Sequence, residues 1–230
     1  MESGTPQTQS MKPIHHPSLF PASFNRHRVI ATSTAVILTV GQALSQTTQV
    51  WTAGGNGTLG DSTKYASGTA PVNGDTVNAD GTGSVIGFDS ASPVTSLAAL
   101  NLNLTSGTSV FNQTSGSLSL GTLGFGGGGG SRNPTYNMDG GTLNISTAFT
   151  WGNGSNARFN QSAGTVNYSG GSLSIGVAAG ARGHITMTGG TFNANSVTQL
   201  NLGNTSSGNG QANVNHSGSS IFNATASTFV

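Results

Sequence analysis

The chain contains no cysteine, and only 6% of its 230 residues are charged. Disulfides and thiolate metal sites are therefore excluded. An average soluble protein has about 25% charged residues, so ion pairs are expected to contribute little here. The formal net charge of +1 provides no electrostatic footprint for nucleic acid or for an anionic membrane surface. We expect backbone pairing and apolar packing to hold the fold together.

Acidic residues are also scarce. After residue 45 the chain has five Asp and no Glu, and beyond Asp89 only Asp139 remains. Glycoside hydrolysis usually needs two carboxylates at a fixed separation, and a lyase or calcium site needs several oxygen ligands. Asp139 begins an Asp-Gly-Gly sequence, where Asp is favoured by turn conformation. We therefore expect no enzyme, with no catalytic, cofactor-binding or metal-ligating residue.

Two further motifs could in principle form binding sites. His184 and His216 occupy different positions in their repeat units, so they are not expected to stack into a metal site. The consecutive glycines Gly126 to Gly130 are not followed by the Lys of a phosphate-binding loop. Both features are interpreted as structural, and no cofactor is expected.

Residues 1–45 have the layout of a secretory signal peptide. A short apolar run, Val29–Val40, follows a basic stretch, and Met11 is an alternative start. A membrane-spanning helix needs about 20 apolar residues, so this run is too short to cross a bilayer. Small residues then stand at Ala43 and Ser45, the −3 and −1 positions of a cleavage site. A buried core helix is the alternative interpretation.

A degenerate repeat occupies the second half of the chain. Five segments begin alike, and their first residues recur with a slightly variable period of roughly 25 residues, within the range of solenoid repeats. In the first four, a Gly follows at the same offset from the start, then a hydroxyl residue and an apolar one. The five segments begin with Phe111-Asn-Gln, Tyr136-Asn-Met, Phe159-Asn-Gln, Ile185-Thr-Met and Val214-Asn-His.

Within each unit, apolar residues alternate with polar ones, as in β-strands. In two units, this alternation predicts the inward residues Phe159/Gln161, Val166/Tyr168 and Leu173/Ile175, then Ile185/Met187, Phe192/Ala194 and Leu200/Leu202. Three short strands in each unit favour an all-β, right-handed parallel β-helix with stacked rungs. We assign residues 46–108 to an N-terminal cap with irregular first rungs and 109–230 to the solenoid. An antiparallel sandwich is the alternative.

The chain resembles a known group of bacterial surface proteins. The stretches Trp51-Thr-Ala-Gly-Gly and Gly68-Thr-Ala-Pro-Val-Asn-Gly-Asp-Thr-Val77, with the Asn/Gly/Thr units after them, are similar to autotransporter-associated β-strand repeats. Proteins with such repeats are often passenger-like, and some end in a PEP-CTERM sorting tail. The resemblance covers about residues 50–225 and implies an exported β-solenoid. The sequence shows neither a translocator barrel nor a sorting tail.

Two sets of polar residues recur at equivalent positions. Stacked Asn side chains can hydrogen-bond along the solenoid axis, and we predict ladders at Asn112, Asn137, Asn160 and Asn215, and at Asn144, Asn167 and Asn193. Three corner residues, Arg132, Arg158 and Arg182, are a candidate basic stripe for acidic sugars. A solubility role is the alternative for the arginines, and a carbohydrate-binding face is the alternative for the asparagines.

These patterns favour a secreted or cell-surface structural or adhesive protein without catalytic activity. The alternative is a carbohydrate-binding module, or a non-catalytic remnant of a polysaccharide-active β-helix enzyme. Expected partners are extracellular polysaccharide or matrix, and other copies of the chain, but not nucleic acid. The unit from Val214 lacks the Gly-Thr-apolar-Asn pattern of its predecessors, so we expect self-association through that end of the solenoid. The expected location is extracellular or the cell surface.

Signal cleavage is directly testable. We expect the exported protein to begin at Gln46, because Ala43 and Ser45 precede this bond. N-terminal sequencing of protein recovered outside the cytoplasm checks this expectation. Recovery of a mature species that retains Val29–Val40 would contradict it.

Overall fold

The structure is a computed structural model, and it describes most of the chain after residue 45. The predicted signal peptide and most of the glycine run lie outside the described residues. Among the described residues, no helix is long and apolar enough to span a membrane. The described ranges are 46–52, 54–80, 83–102, 107–126, 132–151, 155–203 and 209–229.

The described residues form sixteen β-strands and one short 3-10 helix, Ser62–Lys64. In chain order the strands are β1 (Thr48–Trp51), β2 (Gly55–Thr58), β3 (Thr76–Ala79), β4 (Ser84–Phe88), β5 (Ser96–Leu102), β6 (Ser109–Gln113), β7 (Ser117–Phe125), β8 (Thr135–Met138), β9 (Thr142–Trp151), β10 (Asn156–Gln161), β11 (Thr165–Tyr168), β12 (Ser172–Ile175), β13 (Arg182–Met187), β14 (Thr191–Leu202), β15 (Gln211–His216) and β16 (Ile221–Phe229).

The strands form two parallel sheets. Sheet A contains nine strands, β1, β3, β5, β7, β9, β11, β12, β14 and β16, and sheet B contains seven, in the order β15-β13-β10-β8-β6-β4-β2. The chain passes from one sheet to the other in each turn, so equivalent strands of adjacent rungs pair with each other. The result is a β-solenoid of about six turns with ~26 residues per turn. The predicted all-β parallel solenoid is confirmed, and the antiparallel sandwich is wrong.

Three separate strands per rung occur less often than predicted. The rung that starts with β10 has them, because β11 and β12 are distinct strands of sheet A. In β7, β9, β14 and β16 the second and third segments are continuous. The register of β9 relative to β7 shifts between Leu120 and Thr122, and that of β16 relative to β14 shifts between Ala194 and Val197. A bulge therefore replaces a corner at these places, since one extra residue bends a strand without ending it.

The core consists of side chains stacked in register along the axis. Phe111 pairs with Tyr136, Tyr136 with Phe159, and Phe159 with Ile185. All four are buried, and the ring centroids of Phe111 and Tyr136 lie 4.9 Å apart. The first residues of four successive units therefore stack in one core column. Such contacts run the length of the molecule because parallel rungs repeat at roughly 4.8 Å.

One predicted core residue is exposed. Leu202 is 46% exposed, although its register partner Ile175 is fully buried. The last described residue of β16, Phe229, lies opposite Leu200, and Leu202 has no register partner on β16 among the described residues. The period of two predicts the side on which Leu202 lies, but its burial depends on the neighbouring rung.

Corner glycines permit close contact between rungs. Gly116, Gly141, Gly164 and Gly190 all have positive φ, between 75° and 81°. A Cβ on Gly141 would collide with the carbonyl oxygen of Gly116 in the preceding rung. Glycine adopts this conformation without steric cost. The Gly that recurs after each unit's start is therefore a structural requirement of the corner.

The first rung is covered by a returning segment. Residues 59–66 run back beside β1, where the Thr52 amide donates to the Lys64 carbonyl and the Ala66 amide donates to the Val50 carbonyl. Tyr65 packs edge-on against Trp51, with ring centroids 5.3 Å apart. Paired rungs begin at β1 and β2, within residues 46–108, the segment that we assign to a cap with irregular first rungs.

The last rung is more regular than its sequence indicates. Phe222 and Asn223 lie in register with Phe192 and Asn193. The Gly-Thr part of the expected pattern is absent, since Ser220 and Ile221 stand there. The apolar-Asn part is present one position later, because the corner has one additional residue. Its inward side chains, among them Val214 and Phe222, are only partly buried against the core.

Two inward glutamines provide a test of the core. The Gln113 Nε2 donates to the Thr142 carbonyl at 3.0 Å, and its Oε1 accepts from the Tyr136 hydroxyl at 2.6 Å. The Gln161 Nε2 donates to the Thr191 carbonyl at 3.1 Å, but its buried Oε1 has no hydrogen-bond partner among the described residues. The difference arises from the following rung. Tyr136 lies opposite Phe111, two residues before Gln113, whereas Ile185 lies at the equivalent position opposite Phe159, two residues before Gln161, and has no hydroxyl.

We expect Gln113→Met to lower the free energy of unfolding by about 1–3 kcal/mol, because it leaves the buried Tyr136 hydroxyl unpaired. Gln161→Met is the matched control and should be nearly neutral, since it also removes an unsatisfied oxygen. Met fits this position, as Met138 and Met187 occupy it in neighbouring rungs. Urea unfolding measures both changes, and equal destabilisation would contradict the assignment.

Candidate ligand-binding face

The outward residues of sheet B change along the axis from partly apolar to entirely polar or cationic. Its outward positions on β4 and β6 include the apolar Val85 and Val110, together with Gly87. On β10, β13 and β15 every outward residue is polar or cationic. We call these nine residues the polar grid: Asn156, Arg158 and Asn160; Arg182, His184 and Thr186; Gln211, Asn213 and Asn215.

Strand register places the three basic residues of the grid together. Arg158 on β10 lies opposite His184 on β13, so their Cα atoms are about one strand spacing, roughly 4.8 Å, apart. Arg182 precedes His184 by two positions on the same strand, so both point outward. His184 is therefore flanked by one guanidinium along its strand and by another across the sheet.

The electrostatics of His184 are consistent with this arrangement. Partial burial lowers the pKa of its imidazole, and the charges of Arg158 and Arg182 lower it further. Both effects favour the neutral imidazole of His184 over its charged form. Residues 140–230 contain no Asp or Glu, so the sequence supplies no acidic residue to neutralise the two arginines from this half of the chain.

Arg132 does not belong to this cluster. It is only 7% exposed and forms a parallel bridge with Ser155, which is also buried. Ser155 directly precedes Asn156, the first outward residue of the grid. A shift of one residue turns a side chain to the opposite face of a strand. The predicted three-arginine stripe is therefore wrong at Arg132, whereas Arg158 and Arg182 are brought together.

The predicted asparagine ladder of sheet B is partly continuous. The Asn137 Nδ2 donates to the Asn112 Oδ1, and the Asn160 Nδ2 donates to the Asn137 Oδ1, both at 2.9 Å. Thr186 occupies the next position, so it separates Asn215 from these three residues. Each of these side-chain amides donates a hydrogen bond to the asparagine of the preceding rung, which indicates a structural role for this ladder.

Sheet A carries a longer ladder. Asn167 donates to Asn144 at 3.0 Å, Asn193 donates to Asn167 at 3.1 Å, and Asn223 donates to Asn193 at 2.9 Å. The sequence argument missed Asn223 because of the longer corner before it. It also missed the pair in which Asn101 donates to Asn78 at 2.9 Å. An apolar-Asn dipeptide, Phe222-Asn223, was the available signal.

The histidines are separated, as expected. His184 lies opposite Asn213, whereas His216 lies opposite Met187 at an inward position of the last rung. The described residues contain no group of three His, Asp or Glu side chains close enough to hold a metal ion.

A groove near the other end of the solenoid was not predicted. The corner between β4 and β5 is long, and a cavity of about 340 Å³ lies beside it, lined by Asp89 and several Ser and Thr residues. The Asp89 Oδ1 accepts from the Ala91 amide at 2.8 Å, a local turn contact. This groove lacks the concentrated charge of the polar grid, which is therefore the stronger candidate.

The fold by itself leaves the function open, because one architecture can host unrelated activities. No protein-family model, curated protein or solved structure matches this chain.

Proposed function

We propose that this protein is an exported, non-catalytic solenoid with a structural or adhesive role at the cell surface or outside the cell. The observation that carries the proposal is the use of its carboxylates. General acid–base catalysis needs a carboxyl group free to exchange a proton with substrate. Most of the described Asp side chains instead accept hydrogen bonds from turn and corner residues, and they are dispersed along the axis.

Individual contacts support this interpretation. Asp75 accepts from the Thr47 amide, the Thr47 hydroxyl and the Val72 amide. These hydrogen bonds hold its pKa below the ordinary value, despite partial desolvation. Asp61 accepts from the amide and hydroxyl of Thr63 at the start of the 3-10 helix, and Asp139 accepts from the Ser162 hydroxyl.

The distribution of aromatic residues favours a scaffold over a carbohydrate-binding module. A row of exposed aromatic rings is typical of such modules. Here Trp51 and Trp151 lie at inward positions of sheet A and are buried, as are Tyr136 and Phe159 in sheet B. Asn, Ser and Thr recur at the outward positions instead. Repeated weak polar contacts along a rigid face gain strength by multivalency, which suits adhesion to a polymeric matrix.

Export rests on the signal-peptide layout of residues 1–45 and on the resemblance to surface proteins with autotransporter-associated repeats. A cysteine-free, charge-poor solenoid relies on inter-rung pairing, which does not depend on the redox state of the compartment. The carbohydrate-binding module remains the second candidate, because an Asn/Thr-rich outer face can hydrogen-bond sugar hydroxyls.

Binding without turnover tests the proposal. Purified residues 46–230 should sediment with insoluble polysaccharide or matrix from bacterial cultures, because polar faces repeat along the solenoid. Prolonged incubation should release no reducing ends and no unsaturated uronic acids. An increase in either product that scales with protein concentration would show catalysis and contradict the proposal. Heat-denatured protein is the control for nonspecific sedimentation.

Self-association through the last rung is part of the proposed structural role. Strand β15 lies at the end of sheet B, where β13 is its paired neighbour. The amides of Gln211 and Ser217 donate toward β13's side, to the carbonyls of Ala181 and Met187. Because alternate residues of a parallel strand bond to the same neighbour, the amide of Ala212 points away from β13. Backbone amides that point away from β13 form a strand edge, and a second copy of the chain can pair with this edge.

We expect residues 46–230 to sediment as dimers or larger species at high concentration. Ala212→Pro should shift the distribution toward monomer, because proline removes an outward-facing donor and preserves the pairing with β13. Ala212→Ser keeps the donor and is the matched control. Analytical ultracentrifugation measures the distribution. The edge assignment fails if the wild-type polypeptide is monomeric, or if the proline variant associates as strongly as the serine variant.

A further inference from the structure

The basic residues of the polar grid have no function in the fold described so far. Arg158 and Arg182 are exposed, and His184 is partly exposed between them. We propose that these three residues bind the carboxylate or sulfate groups of an acidic polysaccharide. This proposal rests on the proposed extracellular adhesive role and names its ligand class and site.

The geometry suits an anion held against a flat sheet. A guanidinium presents several donors in a planar fork that matches carboxylate and sulfate oxygens. Arg158 and Arg182 reach the same surface from neighbouring rungs, offset by two positions along the strand. An anionic group held by both guanidinium groups would lie beside His184, which can donate a third hydrogen bond.

The surrounding residues suit the remainder of a sugar. Asn160, Thr186 and Asn213 are outward neighbours of the basic cluster on three successive strands. Amide and hydroxyl groups donate to and accept from sugar hydroxyls. The grid combines charged donors for an acidic group with neutral partners for the sugar ring.

The distribution of charge along the solenoid axis favours binding of a polyanion at the end that carries the polar grid. Residues 46–139 contain all five Asp residues of the chain, whereas residues 140–230 contain Arg158 and Arg182 and no acid. Since successive units occupy successive positions along the axis, the first rungs repel a polyanion and the later rungs attract it. Attraction between exposed charges acts over a Debye length of about 8 Å at physiological salt.

The same surface is poorly suited to nucleic acid. Single strands are usually held by aromatic side chains on which bases stack, in a groove of many basic residues. The grid contains no aromatic ring other than the His184 imidazole, and it has two arginines. A sparsely charged polysaccharide matches this spacing of charge better.

His184 makes binding dependent on pH. Arg158 lies opposite it on β10, Arg182 and Thr186 flank it on β13, and Asn213 lies opposite it on β15, so no acid faces it from these strands. Its pKa is below the ordinary value in the free protein, and a bound anion favours the protonated imidazole. Affinity therefore increases as pH falls through this pKa.

The test measures binding of residues 46–230 to polygalacturonate and to dextran sulfate at low salt, with uncharged dextran as control. We expect binding to both acidic polymers and none to dextran. The double variant Arg158→Gln/Arg182→Gln should bind both about tenfold more weakly, as expected for two exposed charge pairs. Lys64→Gln removes one positive charge at the other end of the solenoid and should change affinity by less than about twofold.

The pH arm uses dextran sulfate, whose sulfates stay ionised. Wild-type protein should bind more tightly at pH 5 than at pH 8, and His184→Gln should lose most of this difference. Circular dichroism of each variant establishes that the β-solenoid is retained. Preference for one polymer distinguishes a carboxylate ligand from a sulfate ligand.

Unchanged binding in the double variant, or equal binding of uncharged dextran, would overturn the site. Equal affinity for a single-stranded oligonucleotide of matched charge would overturn the assignment to polysaccharide. If insoluble matrix still retains the double variant while the acidic polymers bind neither wild type nor variant, the site is wrong and the adhesive role stands. If only the acidic polymers bind, and they are cleaved, the non-catalytic role fails and the site stands.

Discussion

The parallel pairing of each rung with the next is the interaction on which the rest of the structure depends. A displacement by one position would turn the inward Phe159 outward and bring the neighbouring Arg158 into the core. The corner glycines restrict such shifts, because Gly141 approaches the carbonyl of Gly116 more closely than any side chain permits. Corner geometry and core stacking therefore favour the same register, and this agreement between local and global preferences is typical of sequences with a single native state.

With the register established, a chain with very little charge can still fold. Apolar columns run through the interior, and asparagine ladders such as Asn137 to Asn112 add hydrogen bonds along the exterior at the same repeat. Carboxylates are used in turns, as at Asp75. Outward side chains beyond these ladders do not contribute to the core, and in the polar grid of sheet B they bring Arg158, Arg182 and His184 together.

Much of the fold was predictable because period and repeat are local properties. The first residues of three repeat units, Phe111, Phe159 and Ile185, identify the core column, and the recurrent Gly identifies the corner. The errors have a common cause in packing between rungs. Leu202 alternates with the inward residues, but it has no register partner on β16 among the described residues. Asn223 was missed because the corner before it has one extra residue. Arg132 is buried because it pairs with Ser155, one position before the outward Asn156.

The sequence by itself determined the β-strand period, the existence and approximate length of the repeat, the composition of the core and the scarcity of acids after Asp89. Only the tertiary structure decided which outward residues become neighbours. Arg158 and His184 lie a whole rung apart along the chain, yet they are opposite one another in the sheet. Because corners vary in length, residue counting cannot assign such pairs. Hydrogen bonding between whole strands assigns them, and the candidate site follows from that alignment.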